Sequence, residues 1–70
     1  MTPTEIIFDV TETPDGGYDA RALGHAIFTQ GDDWDELKVM ARDAVLCHFG
    51  EDRAPRVIRL HLVRQEAIAV

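Results

Sequence analysis

Cysteine occurs once in the 70 residues, at Cys47. No internal disulfide can form, so the fold must hold by packing or by association, and a reducing compartment is expected. No apolar run approaches the ~18 residues that a membrane-spanning helix needs. The stretch Met1-Thr2-Pro3-Thr4-Glu5 has neither a basic patch nor an apolar segment. It does not read as a signal peptide, and the cytoplasm is the expected location. Repeats, linkers and low-complexity segments are also absent, which leaves one domain over residues 1–70.

Basic residues are scarce in one half of the chain. Residues 1–36 hold nine acids and one base, Arg21, whereas residues 37–70 hold four acids and six bases. With a net charge of −6, such a surface repels phosphates, so direct nucleic-acid binding is not expected. It would steer a basic protein instead. Plain solubility accounts for the same surplus. A chain of this length buries only about 60% of the surface its unfolded form exposes. A homodimer or higher homo-oligomer, which adds a second core, would suit it.

What is present is a run of alternating and helical patterns. Residues 4–12 alternate, with Ile6, Phe8 and Val10 on one face and Glu5, Ile7, Asp9 and Thr11 on the other. Pro14-Asp15-Gly16-Gly17 breaks this strand, because Pro cannot donate to a ladder and Gly tolerates positive φ. Tyr18, Ala20 and Ala22 alternate with Asp19 and Arg21 in a second strand. Leu23-Gly24 marks another turn, and His25 to Gln30 reads as a third strand, with Ala26 and Phe28 on one face and Ile27 on the other. Gly31 ends that strand. Asp32 or Asp33 can cap the helix that follows, and Asp33 with Glu36 fits a capping box. Four acids in residues 32–36 also suit the positive end of a helix dipole.

From Trp34 to about Phe49 the period is helical, with Leu37, Met40, Ala41, Ala44, Val45 and His48 on one stripe and Gly50 as the stop. Residues 56–64 form the last strand, with Ile58, Leu60 and Leu62 on one face and Val57, Arg59, His61 and Val63 on the other. Gln65 to Val70 is an apolar tail that either extends this strand or adds an edge strand.

The fold class is α+β, in the order β-β-β-α-β. It is a three-stranded antiparallel meander plus a fourth strand, with one helix packed on one sheet face. The helix is expected to cover Ile6, Phe8, Val10, Phe28, Ile58, Leu60 and Leu62. The second face, with Ile7, Asp9, Asp19, Arg21, Ile27, Val57, Arg59, His61 and Val63, stays open. Four aliphatics among charges point to association through this face or a sheet edge, although scattered apolar residues also occur on solvated faces.

No catalytic constellation stands out. Asp9, Asp19 and Asp43 could be compared with the clustered carboxylates of a two-metal nuclease, but nothing in the patterns makes them converge. Cys47, His48, His25 and His61 lack the spacing of a zinc motif. Adjacent helical residues point about 100° apart, so Cys47 and His48 cannot readily share one ion or form a nucleophile pair. His48 then reads as the end of the core stripe and Cys47 as a small, partly buried residue. No metal, cofactor or catalytic residue is expected. Trp34 either anchors a partner or packs on a strand end.

The hairpin Asp15-Gly16-Gly17-Tyr18, then Gly24, then Thr29-Gln30-Gly31-Asp32 and Glu36-Leu37 resemble the HicB family of type II antitoxins. The resemblance spans about residues 4–49. In that family a Gly-Gly-Tyr hairpin is followed by a Pro-Gly-Cys turn and Thr-x-Gly-Asp-Thr at the helix start. Here Leu23-Gly24-His25 replaces the turn and Asp33 replaces the capping Thr. The resemblance implies a reduced ribonuclease-H-like fold. It also implies a basic protein partner, the HicA-type mRNA-cleaving toxin, inhibited by occlusion. Many HicB proteins carry a C-terminal DNA-binding segment. A chain stopping at Val70 is expected to lack it, so operator binding is not carried over. The candidate contacts are Asp9, Asp19, Asp32, Asp33, Trp34, Asp35 and Glu36, while Gly16, Gly17, Tyr18, Gly24, Gly31 and Gly50 serve turns and caps. Self-association without a toxin is the alternative use of the same surfaces.

Overall fold

A computed structural model describes residues 4–64 and 67–70. The chain forms β1 (Glu5–Glu12), β2 (Tyr18–Ala22), β3 (Phe28–Gly31), α1 (Trp34–Phe49) and β4 (Val57–Val63). The four strands make one sheet in the order β3-β2-β1-β4, with one helix packed on it, an α+β fold. β1–β2 and β2–β3 pair antiparallel. β4 pairs parallel to β1. A parallel pair needs a long crossover, and α1 supplies it by carrying the chain from the β3 edge to the opposite edge.

The first hairpin closes through Thr13, whose N–H donates to the Gly17 carbonyl at 2.9 Å and whose hydroxyl oxygen accepts from the Gly17 N–H at 3.0 Å. Gly16 sits at φ 91°, the left-handed position that such a short loop requires. At the helix start Asp33 is the N-cap, and its Oδ1 accepts from the Glu36 N–H at 2.7 Å. Glu36 Oε1 reaches back to the N–H of Asp32, one residue before the cap. The Asp33 half of a capping box is thus formed, while the return bond from Glu36 falls one residue before the cap rather than on the cap's own N–H. Gly50, at φ 83°, stops the helix and donates its N–H to the Leu46 carbonyl at 2.8 Å.

The core lies between sheet and helix. It comprises Ile6, Phe8, Val10, Ala20, Ala22, Ile27, Leu37 and Val45, with Ala41 buried on the same helix stripe. Removing a side chain such as Phe8 from water contributes about 1.5–3 kcal/mol, which makes this layer the main support of a chain with no cross-link.

Several expectations are corrected. The third strand begins at Phe28, not His25, and runs through Gly31. Its faces are reversed: Ile27 is buried and Phe28 is 62% exposed. The reason is register. The Ala22 N–H bonds to the Ile27 carbonyl, so the loop consumes Leu23 to Ala26. Phe28 then pairs with Arg21, and cross-strand partners share a face. On the helix, Met40 and His48 are exposed, and the buried stripe narrows to Leu37, Ala41 and Val45. Cys47 is exposed, not partly buried. On β4, Ile58 and Leu60 are only partly covered, and Leu62 is 36% exposed. The tail forms no strand over residues 67–70, and Gln65 and Glu66 lie outside the described residues.

Gly31 is the last residue of β3, as the sequence implies, and it also makes room for the helix. It is buried within the last position of β3, and a Cβ there would stand 2.6 Å from the Leu37 backbone nitrogen. A Cβ on Gly17 would lie 2.9 Å from the Gly31 carbonyl oxygen. Two glycines therefore let β2, β3 and the first turn of α1 meet without side chains between them.

Candidate functional site

That close approach creates an open groove. The first hairpin, the end of β3 and the start of α1 enclose about 440 Å³, rimmed by Asp15, Asp19, Asp32 and Glu36. Tyr18 and Met40 supply apolar wall, and Gln30 and Thr13 supply amide and hydroxyl groups. No Lys, Arg or His lines it. Asp15 is held below the usual carboxylate range, first by a hydrogen bond from the Thr13 hydroxyl and then by its own backbone N–H. It is ionised at neutral pH. An arrangement of this kind accepts a cationic side chain, with the alkyl stem on Tyr18 and Met40 and the charged head among the carboxylates.

The candidate contacts divide among three places. Asp19, Asp32 and Glu36 meet at the groove. Asp33, Trp34 and Asp35 serve the helix start. Asp33 caps it, Asp35 pairs with Lys38 at 3.2 Å, and Trp34 is half-buried with its ring edge-to-face on Tyr18, centroids 5.3 Å apart. Asp9 stands apart in the middle of the open sheet face, 3.6 Å from His61 Nδ1. Asp15 and Met40 join the groove from outside the candidate set. Periodicity puts Met40 on the core stripe and turn chemistry puts Asp15 in a hairpin. Neither pattern carries the information that the hairpin tip folds back beside the helix.

The other chemical candidates do not assemble. Asp9 and Asp19 lie on the open face, whereas Asp43 lies on the helix that covers the opposite face. His25 and His48 form an aromatic group with Phe49, their ring centroids 6.1 Å apart, and His61 is on the open face of β4. Among the described residues no group of three or more His, Cys, Asp or Glu side chains is placed to hold a metal ion. No described helix is long and apolar enough to cross a membrane.

Comparison with known proteins gives two relatives of similar length. A UPF0150 protein from Thermotoga maritima is 46% identical over 69 residues, covering 99% of this chain and 97% of that protein. The chain belongs to the UPF0150 family. A second UPF0150 protein, from Archaeoglobus fulgidus, is 58% identical over 52 residues, covering 74% of this chain and 77% of that protein. No family model matches this UPF0150 chain, and no solved structure does.

Proposed function

We propose that this UPF0150 chain is a HicB-like antitoxin domain, which binds a small basic HicA-type ribonuclease toxin in the cytoplasm and occludes its active surface without catalysis of its own. The observation that carries this reading is the groove rimmed by Asp15, Asp19, Asp32 and Glu36 with no base in its lining. The −8 balance of residues 1–36, nine acids against one base, surrounds it with a field of the same sign. The turns that resemble the HicB pattern also help to build it, since Gly17, Tyr18, Gln30, Gly31 and Asp32 all line the groove. In this reading a Lys or Arg of the toxin enters the groove, and steering by the acidic surface sets the association rate.

The test is direct. The purified chain is mixed with a HicA-type toxin at low and high salt, alongside the Asp19→Lys/Asp32→Lys variant. A complex that weakens with salt and is lost in the variant supports the reading. Absence of a complex at low salt sinks it.

A further inference from the structure

The acidic groove is one end of a longer feature, the free edge of the sheet beside the helix. We propose that this edge takes up an extended, basic segment of a partner protein as an added strand, laid along β3 and against α1. The inference rests on the toxin reading only for the owner of that segment, which would be the toxin.

β3 is the outermost strand of the sheet, and among the described residues nothing pairs with its outer side. The Ala22 N–H bonds to the Ile27 carbonyl. Hydrogen-bonded and non-bonded pairs alternate in an antiparallel ladder, so Thr29 and Gly31 turn their backbone groups inward to Ala20 and Tyr18. Phe28 and Gln30 turn theirs outward, which leaves two N–H donors and two carbonyl acceptors on an open edge. The side chains alternate across the strand as well. Thr29 and Gly31 are buried on the helix side, whereas Phe28 and Gln30 are exposed on the other face.

α1 forms a wall beside this edge. Glu36, Met40, Ala44 and Cys47 recur at helical spacing on one stripe. Glu36 and Met40 line the acidic groove at the Gly31 end of β3. Ala44 and Cys47 line a second open hollow of about 470 Å³, with Ala26 and Ile27, at the beginning of the strand. The lengths agree. From Glu36 to His48 the helix advances about 18 Å, and from Ala26 to Gly31 an extended chain covers about 17 Å. The two hollows are therefore the two ends of one furrow.

Register specifies what the furrow takes. Cross-strand partners share a face. A residue opposite Gly31 points to the acidic groove, which suits Lys or Arg. A residue opposite Ile27 points to Ala44 and Cys47, which suits a small aliphatic side chain. An antiparallel segment thus reads Lys or Arg, three residues, then Val or a similar residue. Charge selects this edge over the other one. β4 carries Arg59 and His61 and is flanked by Arg56 and Arg64. β3 holds no base and leads into Asp32 and Asp33. A second copy pairing through its own β3 would bring no Lys or Arg to the groove.

The probe is an end-capped peptide, Thr-Lys-Thr-Thr-Thr-Val-Thr, titrated into the full chain and followed by NMR. A few main-chain bonds and one charge give an expected Kd of about 1 mM. With peptide at about ten times that concentration, hydrogen exchange at the Phe28 and Gln30 amides should slow about tenfold. The inward amides of Thr29 and Gly31 should not change. N-methylation of the first and third residues after Lys, whose N–H groups face Gln30 and Phe28, should abolish binding. N-methylation of the second, which faces away, should leave it. Gln30→Pro removes an outward donor at a place where an edge strand accepts proline. It should keep the circular dichroism spectrum and bind about tenfold more weakly. Unchanged exchange at Phe28 and Gln30, or equal binding of the two methylated peptides, would overturn the proposal. So would a HicA-type toxin that binds the wild type and the folded Gln30→Pro chain equally, although the toxin reading would then stand. A peptide seated on β3 with no toxin complex at low salt would support the edge and sink the toxin reading alone.

Discussion

Replacing Gly31 by alanine probes the contact on which the whole layer depends. A Cβ at this position would lie 2.6 Å from the Leu37 nitrogen, 2.8 Å from its Cα and 3.1 Å from its Cβ. Carbon atoms rest about 3.5–4.0 Å apart, so the first turn of α1 must lift by roughly 1 Å. Two of the three atoms are backbone, so no rotamer change relieves the clash. The lift loosens Leu37, Ala41 and Val45 against the sheet, and a gap of up to about 1 Å forfeits a quarter to a half of the dispersion energy there. Overpacking of this kind costs about 1–3 kcal/mol, from which the loss of glycine's unfolded-state freedom recovers about 0.4–1 kcal/mol. A domain of this size has roughly 4–10 kcal/mol in total. The central net cost of about 1.3 kcal/mol lowers the melting temperature by about 5–10 °C, at about 4–8 °C per kcal/mol. Gly16→Ala is the control. Gly16 has φ 91° but nothing within 4 Å of the added atom, so that variant is destabilised by only about 1 kcal/mol through its backbone. Thermal unfolding followed by circular dichroism measures both. A Gly31→Ala variant that melts within about 2 °C of the wild type would refute the close-approach argument, since even ~0.5 kcal/mol moves the midpoint further than that.

Two further predictions concern the helix start and the sheet edge. Asp33→Ala removes the acceptor for the Glu36 N–H and is expected to lower stability by about 1 kcal/mol in urea titration; an unchanged midpoint would mean that water caps the helix equally well. Glu5 is held below the usual carboxylate range by its hydrogen bond with Arg59 and by that residue's charge. A depressed folded pKa contributes stability that is present above the ordinary glutamate range and is lost as pH falls through the folded value. Urea midpoints measured from pH 7 down to about pH 3, below the ordinary glutamate range, should therefore fall less steeply for Glu5→Gln than for the wild type. Parallel curves would show that the pair does not act on folding.

Much of the fold follows from local patterns. Alternation in β1 sets Ile6, Phe8 and Val10 on one face, and all three are buried. The spacing of Leu37, Ala41 and Val45 places the helix, and Asp33 with Glu36 places its start. These features are legible because side-chain periodicity and capping involve residues within a turn of each other. The face of β3 is not legible in this way, because it depends on how many residues the preceding loop consumes. One residue of slip exchanges Ile27 for Phe28, and only the pairing of Phe28 with Arg21 decides it.

The same division holds for the surfaces. That the chain is acidic, above all in its first half, is legible residue by residue. Which carboxylates share a groove is set by packing. Asp15 and Asp32 are far apart in the chain and come together because Gly17 and Gly31 allow hairpin, strand and helix to touch. Only the sheet register put Phe28, Arg21, Asp9 and His61 in one row. Charge and periodicity are properties of a residue and its near neighbours, whereas convergence is a property of the packed chain.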